Sequence, residues 1–193
     1  MVAQRQNDWL SQEDFLALDR ESWDQKYEYY HGRMYAMAGG STSHSIIQSN
    51  ANFLLKSHLR GKGCIVFTSD MTLKLKDACS LPDVSVTCNP KDTREVKNYI
   101  EFPCLVIEVL SSSTEKGDRG RKFFAYQECP SIQEYVLISQ DKQLVEVFTR
   151  KSTVWIYHVY KENDIITLES VNITFPIELL YEDVVFSGTE NDV

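Results

Sequence analysis

The sequence predicts a mixed α/β domain. Three observations carry that expectation: two stretches with apolar residues at helical spacing, a continuous apolar run from Cys104 to Leu110, and a C-terminal half of strand-like segments. With 193 residues, 42% of them hydrophobic, the chain is long enough for one proper core. It is expected to form a single domain over 1–193, with a frayed tail at 187–193.

The elements follow in order. Ser11 followed by Asp14 reads as a capped helix start, Phe15, Leu16 and Leu18 give that helix an apolar face, and it ends before Trp23. From Lys26 to Met37 aromatic and polar residues interleave around His31-Gly32, where glycine tolerates positive φ, which predicts a β-hairpin. Gly39-Gly40-Ser41 breaks it. Ile46, Ile47, Asn50, Phe53, Leu54, Leu55 and Leu59 then recur at helical spacing, with Ser41 or Ser43 as cap. Strands are expected at Cys64 to Thr68, Met71 to Lys76, Val84 to Cys88 and Cys104 to Leu110, the last buried on both faces. A helix from about Asp118 to Glu128 carries Lys122 and Tyr126 four apart on one side and stops at Cys129-Pro130. Glu134 to Ser139, Leu144 to Arg150, Val154 to Tyr160 and Ile165 to Val171 are rich in β-branched and aromatic residues and complete a strand-rich C-terminal part.

Composition narrows the function classes. No stretch has the roughly 18 uninterrupted apolar residues of a membrane span, and Met1 to Asp8 is polar, unlike a signal peptide, so no membrane partner is expected. Five cysteines, odd in number and never spaced Cys-x-x-Cys, argue against a disulfide framework or a zinc ribbon and suit a reducing cytoplasm. The histidines show no ligand spacing. A formal charge of −8 would repel a polyanion over the whole molecule, so any nucleic-acid contact must be local. Local basic groups exist at Lys56, Arg60 and Lys62, at Lys91, Arg94 and Lys97, and at Lys116, Arg119, Arg121 and Lys122. The plain reading is solvated faces, above all for the first two groups.

Two carboxylates stand in unusual places. Asp83 follows Pro82 at the mouth of a strand, and Glu108 interrupts the buried run Cys104-Leu105-Val106-Ile107-Glu108-Val109-Leu110. An unpaired ionised carboxylate there is strongly disfavoured, so Glu108 requires a cation or hydrogen-bond donors nearby, or a solvent-facing position on a half-exposed sheet. A core lysine or arginine satisfies that requirement as well as a metal does. Glu28 lies in the hairpin, as a further ligand or an ordinary strand carboxylate. His44 sits near a helix start, where it can cap the helix, contact phosphate or act as a base. Asp118 reads first as a helix cap and second as support for Lys122. Ser111-Ser112-Ser113-Thr114 suits a phosphate-contacting loop or an ordinary turn.

The order of these features resembles a known family. Pro82-Asp83-Val84, the run Val106 to Thr114, Asp118 to Tyr126 and Glu134-Tyr135-Val136-Leu137 are similar to the Uma family of bacterial endonucleases, within the PD-(D/E)XK nuclease superfamily. Tyr27 to Arg33 and Gly40-Ser41-Thr42-Ser43-His44 resemble its N-terminal half, so the likeness runs from about Tyr27 to Arg150. The resemblance implies a restriction-endonuclease-like core, a mixed β-sheet flanked by helices. It also implies hydrolysis of phosphodiester bonds in DNA by a Mg²⁺ or Mn²⁺ ion on Asp83, Glu108 and the Val109 carbonyl, with Lys122, Glu28 and His44 as further catalytic candidates. The superfamily pattern places its lysine two residues after the second carboxylate, where this chain has Leu110. In the Uma family the lysine lies on the following helix, which here means Lys122. Many nucleases of the superfamily cut as homodimers. Two other readings remain: a catalytically weak or inactive nuclease-fold module that binds nucleic acid or a protein partner, and a structural homodimer whose Trp155, Tyr157 and Tyr160 make the interface or simply a core face.

Overall fold

The computed structural model describes residues 9–21, 25–37, 39–94 and 96–186. The expectations for residues 1–8, for the helix end at Trp23 and for a frayed 187–193 lie outside them. Helix α1 (Gln12–Glu21) is capped by Ser11, whose Oγ accepts from the Asp14 N–H at 3.1 Å. The hairpin follows as β1 (Tyr27–Tyr30) and β2 (Arg33–Ala36), with positive φ at His31 and Gly32 in its turn. Helix α2 (Thr42–Leu59) starts at Ser41, which accepts from the His44 N–H. Then come β3 (Ile65–Thr68), β4 (Thr72–Lys74), β5 (Ala78–Ser80), β6 (Val84–Thr87), the short helix α3 (Pro90–Thr93), β7 (Tyr99–Ile100) and β8 (Pro103–Leu110).

A continuous helical stretch follows: α4 (Glu115–Gly117), a π-helical turn (Asp118–Lys122) and α5 (Phe123–Gln127). The chain ends in β9 (Glu134–Ser139), β10 (Leu144–Lys151), β11 (Val154–Lys161), β12 (Ile165–Leu168), a 3₁₀ turn (Glu169–Val171), β13 (Ile173–Pro176) and a second 3₁₀ turn (Ile177–Leu180). The sequence did not foresee β5, β7, β13, α3 or the 3₁₀ turns. These pieces are too short to show a period. The strand expected to run from Ile165 to Val171 ends at Leu168, where the chain turns into the first 3₁₀ segment.

The main sheet has six strands in the order β11-β10-β9-β8-β6-β3. Its one parallel pair is β8 with β9, so the helical stretch between them is a crossover lying on one face of the sheet. A smaller sheet, β2-β1-β5-β4-β7, packs on that same face, and β12 pairs with β13. Side chains alternate along a strand, and β8 shows the consequence. Leu105, Ile107 and Val109 enter the core beneath α2. Val106 and Leu110 enter the other core, with Tyr126, Tyr135 and Leu137. Glu108 falls on this second face, under the crossover helix. The mixed α/β class, with helices flanking mixed sheets and a strand-rich C-terminal part, is as expected.

One expectation is corrected here. Cys64 and Cys88 form a disulfide, because β3 and β6 pair antiparallel with Ile65 opposite Thr87, and the next residues outward are the two cysteines. Separated by 24 residues in sequence, they carry no spacing signal. Among the described residues no helix is long and apolar enough to cross a membrane.

Candidate active site

Glu28, His44, Asp83, Glu108, Asp118 and Lys122, all singled out in the sequence, meet at one cleft. The β6 and β8 register sets Val84 against Ile107, so one step further Asp83 faces Glu108. The Asp83 carboxylate is fixed at the end of β8: its Oδ2 accepts the Val109 N–H at 2.7 Å and lies 3.2 Å from His44 Nε2. Gln48, one turn along α2 from His44, donates to the Asp83 carbonyl at 2.8 Å. Glu28 comes from β1 and accepts the Leu81 N–H at 3.1 Å. The segment from Asp118 to Lys122 brings the lysine down onto all of them.

Lys122 is the hub. Its Nζ lies 2.9 Å from Glu108 Oε1, 3.0 Å from Glu28 Oε1 and 3.2 Å from Asp118 Oδ1. Tyr126, one turn further on, places its hydroxyl 3.0 Å from Glu108 Oε1 and 3.1 Å from Ser80 Oγ. Lys122 and Tyr126 thus share the helix side expected from their spacing, and Tyr126 does more than pack. Asp118 is not the cap of this helix, which begins at Glu115. It stands inside the stretch and supports Lys122, because the serine-rich turn at 111–114 extends the helix upstream. His44 likewise leaves capping to Ser41.

Burial sets the protonation of the cluster. Desolvation works against the Lys122 charge, but Glu108, Glu28 and Asp118 outweigh it and hold the ammonium charged. Burial pushes the Glu108 carboxyl well above the usual carboxylate range, and Lys122 counters that push while Asp118, Asp83 and Glu28 add to it. Burial would lower His44, yet the Asp83 hydrogen bond and charge, with smaller help from Asp118 and the Val109 backbone, raise it above 6.5.

The cleft above these groups leaves about 130 Å³ in which a water centre fits, against the ~10–15 Å³ that one water needs. Gly39 and Gly40 form one rim. A Cβ on Gly40 would stand 3.0 Å from His44 Nδ1, so the ring that reaches Asp83 would have to give way. Ser111, Ser113 and Thr114 form another rim. Arg121 closes the third, exposed, with its guanidinium 4.3 Å from the Tyr35 ring centroid and 5.4 Å from that of Tyr30. The sequence puts Arg121 in a basic group and does not tie it to the site, although the tyrosines of the hairpin are a signal for it. Gln48 and Ser80 had none. Of the neighbouring cations, Arg119 is tied to Glu115 at 2.8 Å and to Glu146.

The donor set suits a hard divalent cation. Glu28, Asp83, Glu108 and Asp118 outnumber the positive charges of Lys122 and Arg121 at the cleft, and all offer oxygen. The Tyr30 hydroxyl is buried without a hydrogen-bond partner, and Glu28, Lys122, Glu108 and Arg121 all act on it electrostatically. Among the described residues no group of three or more His, Cys, Asp and Glu side chains is placed to hold a metal ion. Mg²⁺ does not require such a group, since it keeps several waters and takes one or two carboxylates plus substrate phosphate.

A family model described as "Uma2: Putative restriction endonuclease" matches residues 12–178. "Uncharacterized protein slr1290" of Synechocystis sp. is 37% identical over 180 residues, 92% of this chain and 94% of that protein. A second protein of that organism, "Uncharacterized protein sll1609", is 31% identical over 144 residues, 73% of this chain and 81% of its own. A crystal structure from Anabaena variabilis, described as "a putative nuclease belonging to DUF820", has a TM-score of 0.77 at 20% identity, covering 91% of this chain and 99% of that one. At that identity the likeness speaks to the fold, which is the nuclease-like one expected from the sequence.

Proposed function

The chain belongs to the Uma2 family, and from that premise we propose that the cleft hydrolyses phosphodiester bonds of DNA, with Mg²⁺ or Mn²⁺ held by Asp83, Glu108 and the Val109 carbonyl. The observation that carries this reading is the position of Lys122, whose ammonium touches carboxylates from β1, β8 and its own helix beside Asp83. When bound, the metal supplies Lewis acidity and a water of lowered pKa.

The chain's own groups do the rest. Glu108 and Asp83 face one another from adjacent strands. Lys122 orients a nucleophilic water and offsets negative charge that grows on the scissile phosphate. His44, hydrogen-bonded to Asp83, positions that carboxylate and can take up or release a proton at Nε2. Arg121, over the Tyr35 ring and open to solvent, can receive a neighbouring phosphate through two N–H groups. Glu28 holds Lys122 in place.

The test begins with metal. Calorimetric titration of Mg²⁺ and Mn²⁺ is expected to show binding in the wild type that is lost in Asp83→Asn and Glu108→Gln, each verified as folded by circular dichroism. On plasmid and single-stranded DNA, Lys122→Met is expected to lower the cleavage rate by roughly 10²–10³. Undiminished cleavage by folded Asp83→Asn would overturn the assignment. DNA binding with no cleavage under either metal would make the protein a binding module instead.

A further inference from the structure

At the sheet end opposite the carboxylates, three sulfurs meet on three adjacent strands. Cys64 precedes β3, Cys88 follows β6, and Cys104 is the second residue of β8. Cys64 and Cys88 are joined. Between β6 and β8 the register shifts: Val86 faces Leu105 and Thr87 faces Pro103, which leaves Cys104 as the extra residue of a bulge. A bulge re-aims the side chain it carries. Here it brings Cys104 Sγ to 4.0 Å from Cys88 Sγ. Cys88 is exposed, and the other two are half-buried.

We propose that these sulfurs form a thiol–disulfide exchange site, in which the bridge passes from Cys64–Cys88 to Cys88–Cys104 and frees Cys64 as a modifiable thiol. Cys104 loses its proton to solvent and its thiolate bonds to Cys88 Sγ. The Cys64–Cys88 bond breaks with its electron pair on Cys64, which takes up a proton in turn. One disulfide is consumed and one is formed, so no outside oxidant or reductant enters. Burial pushes the Cys104 thiol up to about 11, which makes the exchange slow at neutral pH. The freed Cys64 lines an open cleft with Lys56 and Arg60, where an electrophile from solvent can reach it. The new bridge ties β6 to β8, the two strands whose other ends bear Asp83 and Glu108.

The experiment is peptide mapping of the full chain, purified without reductant and with no oxidant added. It is then held at neutral or mildly alkaline pH, trapped with N-ethylmaleimide and digested unreduced. Both linked peptides, Cys64–Cys88 and Cys88–Cys104, are expected, with maleimide on Cys64 as well as Cys104 and more of the second bridge at alkaline pH. In folded Cys104→Ser, Cys64 labelling is expected to fall about tenfold. Maleimide on Cys104 with none on Cys64, or no linked peptide at all, would overturn the proposal. Unchanged Cys64 labelling in Cys104→Ser would overturn it too. None of these readouts depends on nuclease activity.

Discussion

Lys122 concentrates the energetics of the site in one side chain. It is 5% exposed and neutralises carboxylates that burial alone would not tolerate as anions. Removing it with Lys122→Ala leaves Glu108, Glu28 and Asp118 without their cation, and urea unfolding should show a loss of ~3–5 kcal/mol. Lys122→Met combined with Glu108→Gln removes the lysine charge and one carboxylate charge together and should recover part of that loss. An unchanged unfolding midpoint in Lys122→Ala would mean that the carboxylates are solvated and the cluster is not the buried one described. Tyr126 adds a smaller restraint from the same helix side, and Glu108 is thus held from two consecutive turns.

At the scale of elements, the helix that delivers Lys122 is pinned at its far end. Its last carbonyls have no partner within the helix. Arg150 of β10 supplies one: its guanidinium donates to Tyr126, Gln127 and Cys129 carbonyls at 3.2, 3.0 and 3.0 Å. Its Nε donates to the Ile132 carbonyl at 2.7 Å, and the group lies over the Trp155 ring, 4.3 Å from its centroid. Arg150→Ala should therefore cost about 2 kcal/mol and speed hydrogen exchange in α5 ahead of α2. Equal protection in both helices after the substitution would show that packing alone holds α5. Upstream, the π turn has the form often found at functional sites, one wider turn within an α-helix. Its five residues run from Asp118 to Lys122, the two ends of one ion pair.

For the whole molecule, charge and connectivity act together. A formal charge of −8 gives no general attraction for DNA, so the proposed contacts rest on local groups such as Arg121 and on the metal. Stability against acid has its own anchor. Glu146 on β10 binds Arg119 of the crossover helix and Tyr157 of β11, and so ties helix to sheet. Burial alone would raise Glu146, but those hydrogen bonds outweigh it and hold its carboxyl below 4.5. A depressed folded-state pKa gives stability that is present above the unfolded value and lost as pH falls through the folded one. Urea midpoints followed down through this acid range should therefore fall in the wild type and fall less steeply in Glu146→Gln. Parallel curves for the two proteins would remove Glu146 from the acid response.

The elements with a clear period, and the residues that break one, are legible along the chain. The apolar run of β8 exposed Glu108 as an anomaly, Pro82-Asp83 marked a strand mouth, and Lys122 and Tyr126 declared a common side by lying four apart. All of these are local signals, readable because periods of two and of 3.6 are properties of the backbone. Register and crossover settle the rest in three dimensions: that Asp83 faces Glu108, that Glu28 and Asp118 close on the same ammonium, that Arg121 lies over Tyr35, and that Cys64 meets Cys88. Such contacts arise between segments tens of residues apart, and their geometry is set by how strands pair and pack. No spacing along the chain encodes it.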